Sequence, residues 1–224
     1  RLSKCSIGDE EVDACSRVLR SEFLGMGAVV LEFENAIQDY LDTPMSVVCV
    51  NTATSALQLS IAALDIGHGD EVLVPSLTYV ASFQAISATG ATPVACEIDR
   101  DTFFLDVDDA RNKVTNKTKA IMPVGLYGQP ADMDEINAVA DRHDLPVIED
   151  AAQSFGASYK QRKSCNLSTF GCTSFFPSKP LGCYGDGGAL FTDDDDLAEL
   201  LISLRFHGKG DYKYNNVRIG MNSR

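Results

Sequence analysis

Residues 46–66 read SVVCVNTATSALQLSIAALDI. The first five are a short continuous apolar run, a small hydroxylated stretch follows, and then Leu57, Ile61 and Leu64 fall on one helical face. That is strand, polar turn and helix. The same unit recurs downstream, where EVLVPS (71–76), TPVACEID (92–99), AIMPVGLY (120–127) and PVIED (146–150) read as buried strands. Helical stretches such as ADMDEINAVADRHD (131–144) separate several of them. Such alternation predicts an α/β fold with a mostly parallel sheet and helices on both faces, and ligands in such sheets gather at the carboxyl ends of the strands.

Upstream, Val12, Cys15, Leu19 and Phe23 follow the acidic start GDEE at helical spacing, predicting an amphipathic helix, and a second helix runs through FENAIQDYL (33–41). Beyond PVIED the connections shorten. STFGCTSFF (168–176) and GGALFT (187–192) read as strands, and the four aspartates 193–196 lie between the second of these and the helix LAELLISLRF (197–206). Their position favours helix capping over metal binding.

The bulk properties narrow the function classes. At 224 residues the apolar positions are evenly spread, as expected of one compact unit. With 19 basic against 32 acidic residues, the formal charge of -13 opposes general binding to nucleic acid or anionic membranes. An anionic ligand therefore needs a local, dedicated site. The seven cysteines are scattered and never spaced as CxxC, and His68, His143 and His207 are isolated, so neither disulfides nor a metal site are expected, and a reducing cytoplasm fits. No apolar run is long enough to span a bilayer, which leads us to expect a soluble protein. The start at Arg1 and the stop at GMNSR suggest a fragment.

Four features at predicted strand ends carry chemistry. After SVVCV come Asn51, Thr52, Ala53, Thr54 and Ser55, which either cap a helix or present amides and hydroxyls to a phosphate. This turn has neither GxxxxGK nor GxGxxG. After EVLVPS comes Tyr79, expected one turn into the next helix, as core or as a stacking surface. Asp150 ends a buried strand and needs a partner, either an arginine, a helix N-terminus or a protonated pyridine, and Gln153 follows three residues on. Finally Lys179 sits in CTSFFPSKPLGCYGDGG (172–188), among phenylalanines, prolines and glycines. Either its ammonium reaches water, or its amine is kept neutral and reactive. Together these are the requirements of pyridoxal 5'-phosphate (PLP): an anion site, a ring-stacking aromatic, an acid for a pyridinium and a neutral lysine.

The order NTATSAL, PSLTYVAS, VIEDAAQSFGA, TSFFPSKPLGCYGDGG and RIGMNSR resembles the DegT/DnrJ-type nucleotide-sugar aminotransferases, PLP enzymes of fold type I, over nearly the whole chain. The resemblance implies that Lys179 binds the cofactor covalently and shuttles protons, Asp150 pairs the pyridinium, Gln153 faces the phenolic oxygen and Tyr79 stacks on the ring. It further implies that Ala53, Thr54 and Ser174 grip the phosphate, and that Asn222 reaches the active site of a neighbouring subunit in a homodimer with shared sites. Relatives that act as sugar dehydratases carry histidine where this chain has Lys179, which points to amino transfer. Relatives also continue past the position of Arg224 into a smaller C-terminal domain, so residues 1–224 are expected to be the PLP-binding large domain.

The wording most resembles enzymes that aminate a UDP-linked 3-keto N-acetylhexosaminuronate for surface polysaccharides, with glutamate as amino donor. Two alternatives stand beside that reading: a sugar C4 aminotransferase of the same family, and a fragment that binds PLP without turnover.

Overall fold

The computed structural model describes residues 5–212 and 214–224. Two N-terminal helices, α1 (Asp9–Arg20) and α2 (Ala28–Leu41), precede β1 (Ser46–Val50) and α3 (Ala53–Ala63). Then follow β2 (Glu71–Pro75), α4 (Val80–Ala88), β3 (Thr92–Cys96), α5 (Val107–Lys113), β4 (Thr118–Ile121), α6 (Met133–Arg142) and β5 (Ile148–Asp150). A small hairpin, β6 (Ser158–Tyr159) and β7 (Arg162–Lys163), leads to β8 (Phe170–Ser174), β9 (Gly188–Thr192) and α7 (Asp195–Leu204).

The strands pair in the orders β1-β9-β8-β5 and β3-β2-β4. Parallel bridges Ile121–Val147 and Val124–Asp150 join the two sets, so one sheet runs β1-β9-β8-β5-β4-β2-β3. Only β9 runs against its neighbours in it, pairing antiparallel with β1 and β8. The expectation of a mostly parallel α/β sheet holds.

Helices cover both faces, which is why these strands are apolar throughout. Val72 and Val74 pack into one core with Leu57, Ile61 and Ile86, while Leu73 between them packs into a second with Met133, Ile136 and Val139. A third core gathers Ile37, Leu41, Phe155, Phe175 and Phe191 under α2. Asp194 caps α7 by accepting the Leu197 amide at 3.0 Å, as its place before the helix predicts.

The first predicted helix is the exception to this packing. None of the α1 residues is buried, the helix stops at Arg20 before Phe23, and Val12, Leu19 and Phe23 stay exposed. Among the described residues, no helix is long and apolar enough to cross a membrane.

Candidate active site

A cavity of about 450 Å³ opens at the carboxyl ends of β1, β5 and β8. One wall is the turn into α3. Thr52 caps that helix, its hydroxyl accepting the Ser55 amide at 3.0 Å, and the Ser55 hydroxyl in turn donates to Asn51 Oδ1 at 2.7 Å. The Thr52 carbonyl accepts the Ala56 amide. This leaves the amides of Ala53 and Thr54, both cavity-lining residues, without an acceptor among the described residues, at the positive end of the helix dipole. Gly188 lets β9 approach this turn: a Cβ there would lie 2.6 Å from Ala53 N. Ser174, buried at the end of β8, adds a hydroxyl that accepts the Phe176 amide at 3.2 Å and keeps its own proton to donate.

Asp150 forms the floor and is only 5% exposed. Its Oδ2 accepts the Ser82 hydroxyl at 2.8 Å, and its Oδ1 accepts the Ala152 amide at 3.2 Å. Burial pushes its carboxyl above the usual range, opposed by those two hydrogen bonds and by the positive charge of Lys179. This is a buried carboxylate without an ion-pair partner among the described residues.

Lys179 lies in the loop between β8 and β9. Its amide donates to Phe176 O at 2.8 Å, the Cys183 amide to Phe175 O at 2.7 Å and the Phe175 amide to Gly187 O at 2.8 Å, so the loop folds back on itself. Gly182 is required there, because a Cβ would fall 2.7 Å from Pro177 O. The Lys179 side chain is half-buried, lines the cavity and makes no ion pair among the described residues.

The structure thus brings Ala53, Thr54, Tyr79, Asp150, Gln153, Ser174 and Lys179 to one cavity. Tyr79 differs from expectation: it is the N-cap residue of α4 rather than a turn inside it, and at 73% exposure it stands at the rim, not in the core. Gln153 commits its Oε1 to the Tyr127 amide at 3.2 Å, which leaves its side-chain NH₂ as the group able to donate into the cavity. Asn222 is exposed and does not line this cavity. Its neighbour Ser223 is fully buried and accepts the Asn51 amide at 2.7 Å, tying the end of the chain to the turn before α3.

A family model described as the DegT/DnrJ/EryC1/StrS aminotransferase family matches residues 5–224. The chain belongs to this family. It is 51% identical, over 96% of its length and 60% of the relative's, to the UDP-2-acetamido-2-deoxy-3-oxo-D-glucuronate aminotransferase of Pseudomonas aeruginosa. The structure of DesV from S. venezuelae in complex with a ketimine intermediate superposes with a TM-score of 0.92 at 46% identity, covering 96% of this chain and 58% of that one. The PLP form of the putative sugar aminotransferase Spr1654 from Streptococcus pneumoniae gives a TM-score of 0.91 at 32% identity, over 97% and 61% of the two chains. The chain therefore spans about 60% of the length of these family members.

Reading the sequence alone missed Thr78 and Asp186, which line this family member's cavity, and Ser82, which lies buried behind it against Asp150. A serine inside a predicted helix carries no distinctive pattern. Its one signal was the spacing of Thr78 and Ser82, four apart and so on one helical face.

Proposed function

We propose that residues 1–224 form the PLP-binding large domain of an aminotransferase that moves an amino group from glutamate to the keto group of a nucleotide-linked sugar. The substrate favoured is a UDP-linked 2-acetamido-3-keto-hexuronate, on the strength of the 51% identity to the Pseudomonas aeruginosa enzyme of that name. The observation that carries the reading is the placement of a buried carboxylate, Asp150, and a lysine without an ion-pair partner among the described residues, Lys179, in one cavity that also holds a helix N-terminus.

The donor set fits PLP group by group. The amides of Ala53 and Thr54, without an acceptor among the described residues, suit a phosphate dianion together with the hydroxyls of Thr54 and Ser174. Asp150 suits a protonated ring nitrogen, which relieves the cost of its burial. The exposed ring of Tyr79 suits the face of a heteroaromatic ring, and the NH₂ of Gln153 its phenolic oxygen.

When bound, the cofactor supplies an electron sink for the substrate carbon. The protein does the rest. Asp150 keeps the ring nitrogen charged, the α3 turn fixes the phosphate and so the ring, and Lys179 first holds the cofactor and then carries a proton to and from the reacting carbon. A homodimer completes the reading, with Asn222 of each chain serving the partner's cavity; its exposure outside its own cavity supports this. All seven cysteines are free thiols, which supports a cytoplasmic setting.

The test is direct. Protein supplied with PLP should turn yellow, borohydride should fix the cofactor to Lys179 on peptide mapping, and glutamate should bleach the unreduced form. Label on another lysine, or none in folded protein, refutes the site. Bound cofactor that glutamate leaves unchanged would favour a binding fragment without turnover. A panel of 3-keto and 4-keto nucleotide sugars then separates the favoured substrate from a C4 aminotransferase.

A further inference from the structure

Ser82 is fully buried in α4, 68 positions before Asp150, yet its hydroxyl donates to Asp150 Oδ2 at 2.8 Å. The Ser82 hydroxyl oxygen also lies 2.8 Å from the hydroxyl of Thr78, which lines the cavity. A serine has one proton to give and an ionised carboxylate can only accept. With Ser82 donating to Asp150, Thr78 must donate to Ser82. The order is therefore set: Thr78 to Ser82 to Asp150, running from the cavity wall to the buried acid.

We infer that Thr78 and Ser82 form a hydroxyl chain that holds the Asp150 carboxylate ionised and fixed in orientation, making both of them positioning residues for the ring nitrogen of the bound cofactor. This rests on the reading of the cavity as a PLP site. The chemistry needs such a device because Asp150 is buried on every side. From β8 it meets the thiol of Cys172, from its own strand the buried Glu149, and from the loop Lys179 as the one charge that favours ionisation. Without the hydroxyl chain, burial would push the carboxyl further toward its neutral form, and a neutral acid holds a pyridine nitrogen protonated far less well. The Ala152 amide on Oδ1 fixes the other oxygen, so the two donors together orient the carboxylate plane.

A hydrogen bond to a charged group is strong enough to move a protonation equilibrium by about tenfold or more. The experiment follows the carboxyl ¹³C signal of Asp150 in cofactor-free protein labelled at aspartate, assigned by its absence in Asp150→Asn. Ser82→Ala should raise the titration midpoint by about one pH unit or more, and Thr78→Val should raise it by less. With PLP bound, Ser82→Ala should slow the half-reaction with glutamate by about tenfold while the KM for glutamate stays close to wild type. A residue that merely supported the fold would move neither the titration nor the split between kcat and KM.

Unshifted midpoints in both variants, with a normal cofactor spectrum, overturn the hydroxyl chain alone. If Ser82→Ala does not fold, Thr78→Val decides, since Thr78 is at the cavity surface. Failure of the wild-type protein to bind PLP overturns the proposed function and the positioning role with it.

Discussion

Glu149, the residue before Asp150, offers the sharpest test of the buried electrostatics. It is 1% exposed and points away from the cavity, where Oε1 accepts the Ser164 hydroxyl at 2.7 Å and Oε2 the Cys165 amide at 2.9 Å. Burial pushes its carboxyl from 4.5 up to about 7, against those two hydrogen bonds, and the neighbouring Asp150 adds to the rise. A group whose folded pKa is raised binds more protons folded than unfolded. Its contribution to stability is therefore fully present below pH 4.5 and is lost as pH rises through about 7. At about 1.4 kcal/mol per pH unit, the full contribution is about 3 kcal/mol, most of which is lost between about pH 5 and about pH 8.

Glu149→Gln removes the titration and keeps the contacts. The amide oxygen can still accept the Cys165 amide, and the NH₂ can donate to Ser164, whose own proton turns to Ser154, 2.8 Å away. Urea unfolding of cofactor-free wild type and variant, followed by far-UV circular dichroism because the chain has no tryptophan, gives the difference in stability at each pH. That difference should fall by about 2–3 kcal/mol from about pH 5 to about pH 8, wild type losing ground to the variant. Asp150 is raised in the same direction and is present in both proteins, so its own burial cancels in the difference, and what remains of it is its coupling to Glu149, which the variant removes together with the Glu149 titration. Parallel curves would refute the assignment of a strongly raised carboxyl to Glu149.

Two further outcomes follow from the geometry. Gly188→Ala places a methyl group against the backbone of Thr52 and Ala53, so it should cost about 1–3 kcal/mol in urea unfolding and weaken binding of PLP more than of phosphate-free pyridoxal; equal weakening of both would separate Gly188 from the phosphate turn. Lys179→Ala and Asn222→Ala chains, each poor alone, should recover activity toward half of wild type per mixed dimer when subunits exchange, because one site then has both residues intact; no recovery despite proven exchange would place Asn222 outside the partner's site.

What the sequence by itself determined was whatever depends on near neighbours along the chain. Strand, turn and helix from Ser46 to Ala63, the helix cap at Asp194, and the gathering of polar residues at strand ends all follow from periodicity and capping, which are local properties. Lys179 and Asp150 stood out because a charged residue in apolar surroundings is costly wherever the chain goes. The tertiary structure decided the rest. An apolar strand looks the same in either direction, so the reversal of β9 could only come from its pairing with β1 and β8. Helical spacing in α1 says that one face is apolar, but not whether anything covers it, and nothing among the described residues buries it. Tyr79 carries an aromatic ring that would serve equally as core, and its exposure is set by where α4 begins. Ser82 became legible only when the fold closed 68 residues and brought a common helix serine to a buried carboxylate, because hydrogen bonds depend on distance in space and not on spacing in sequence.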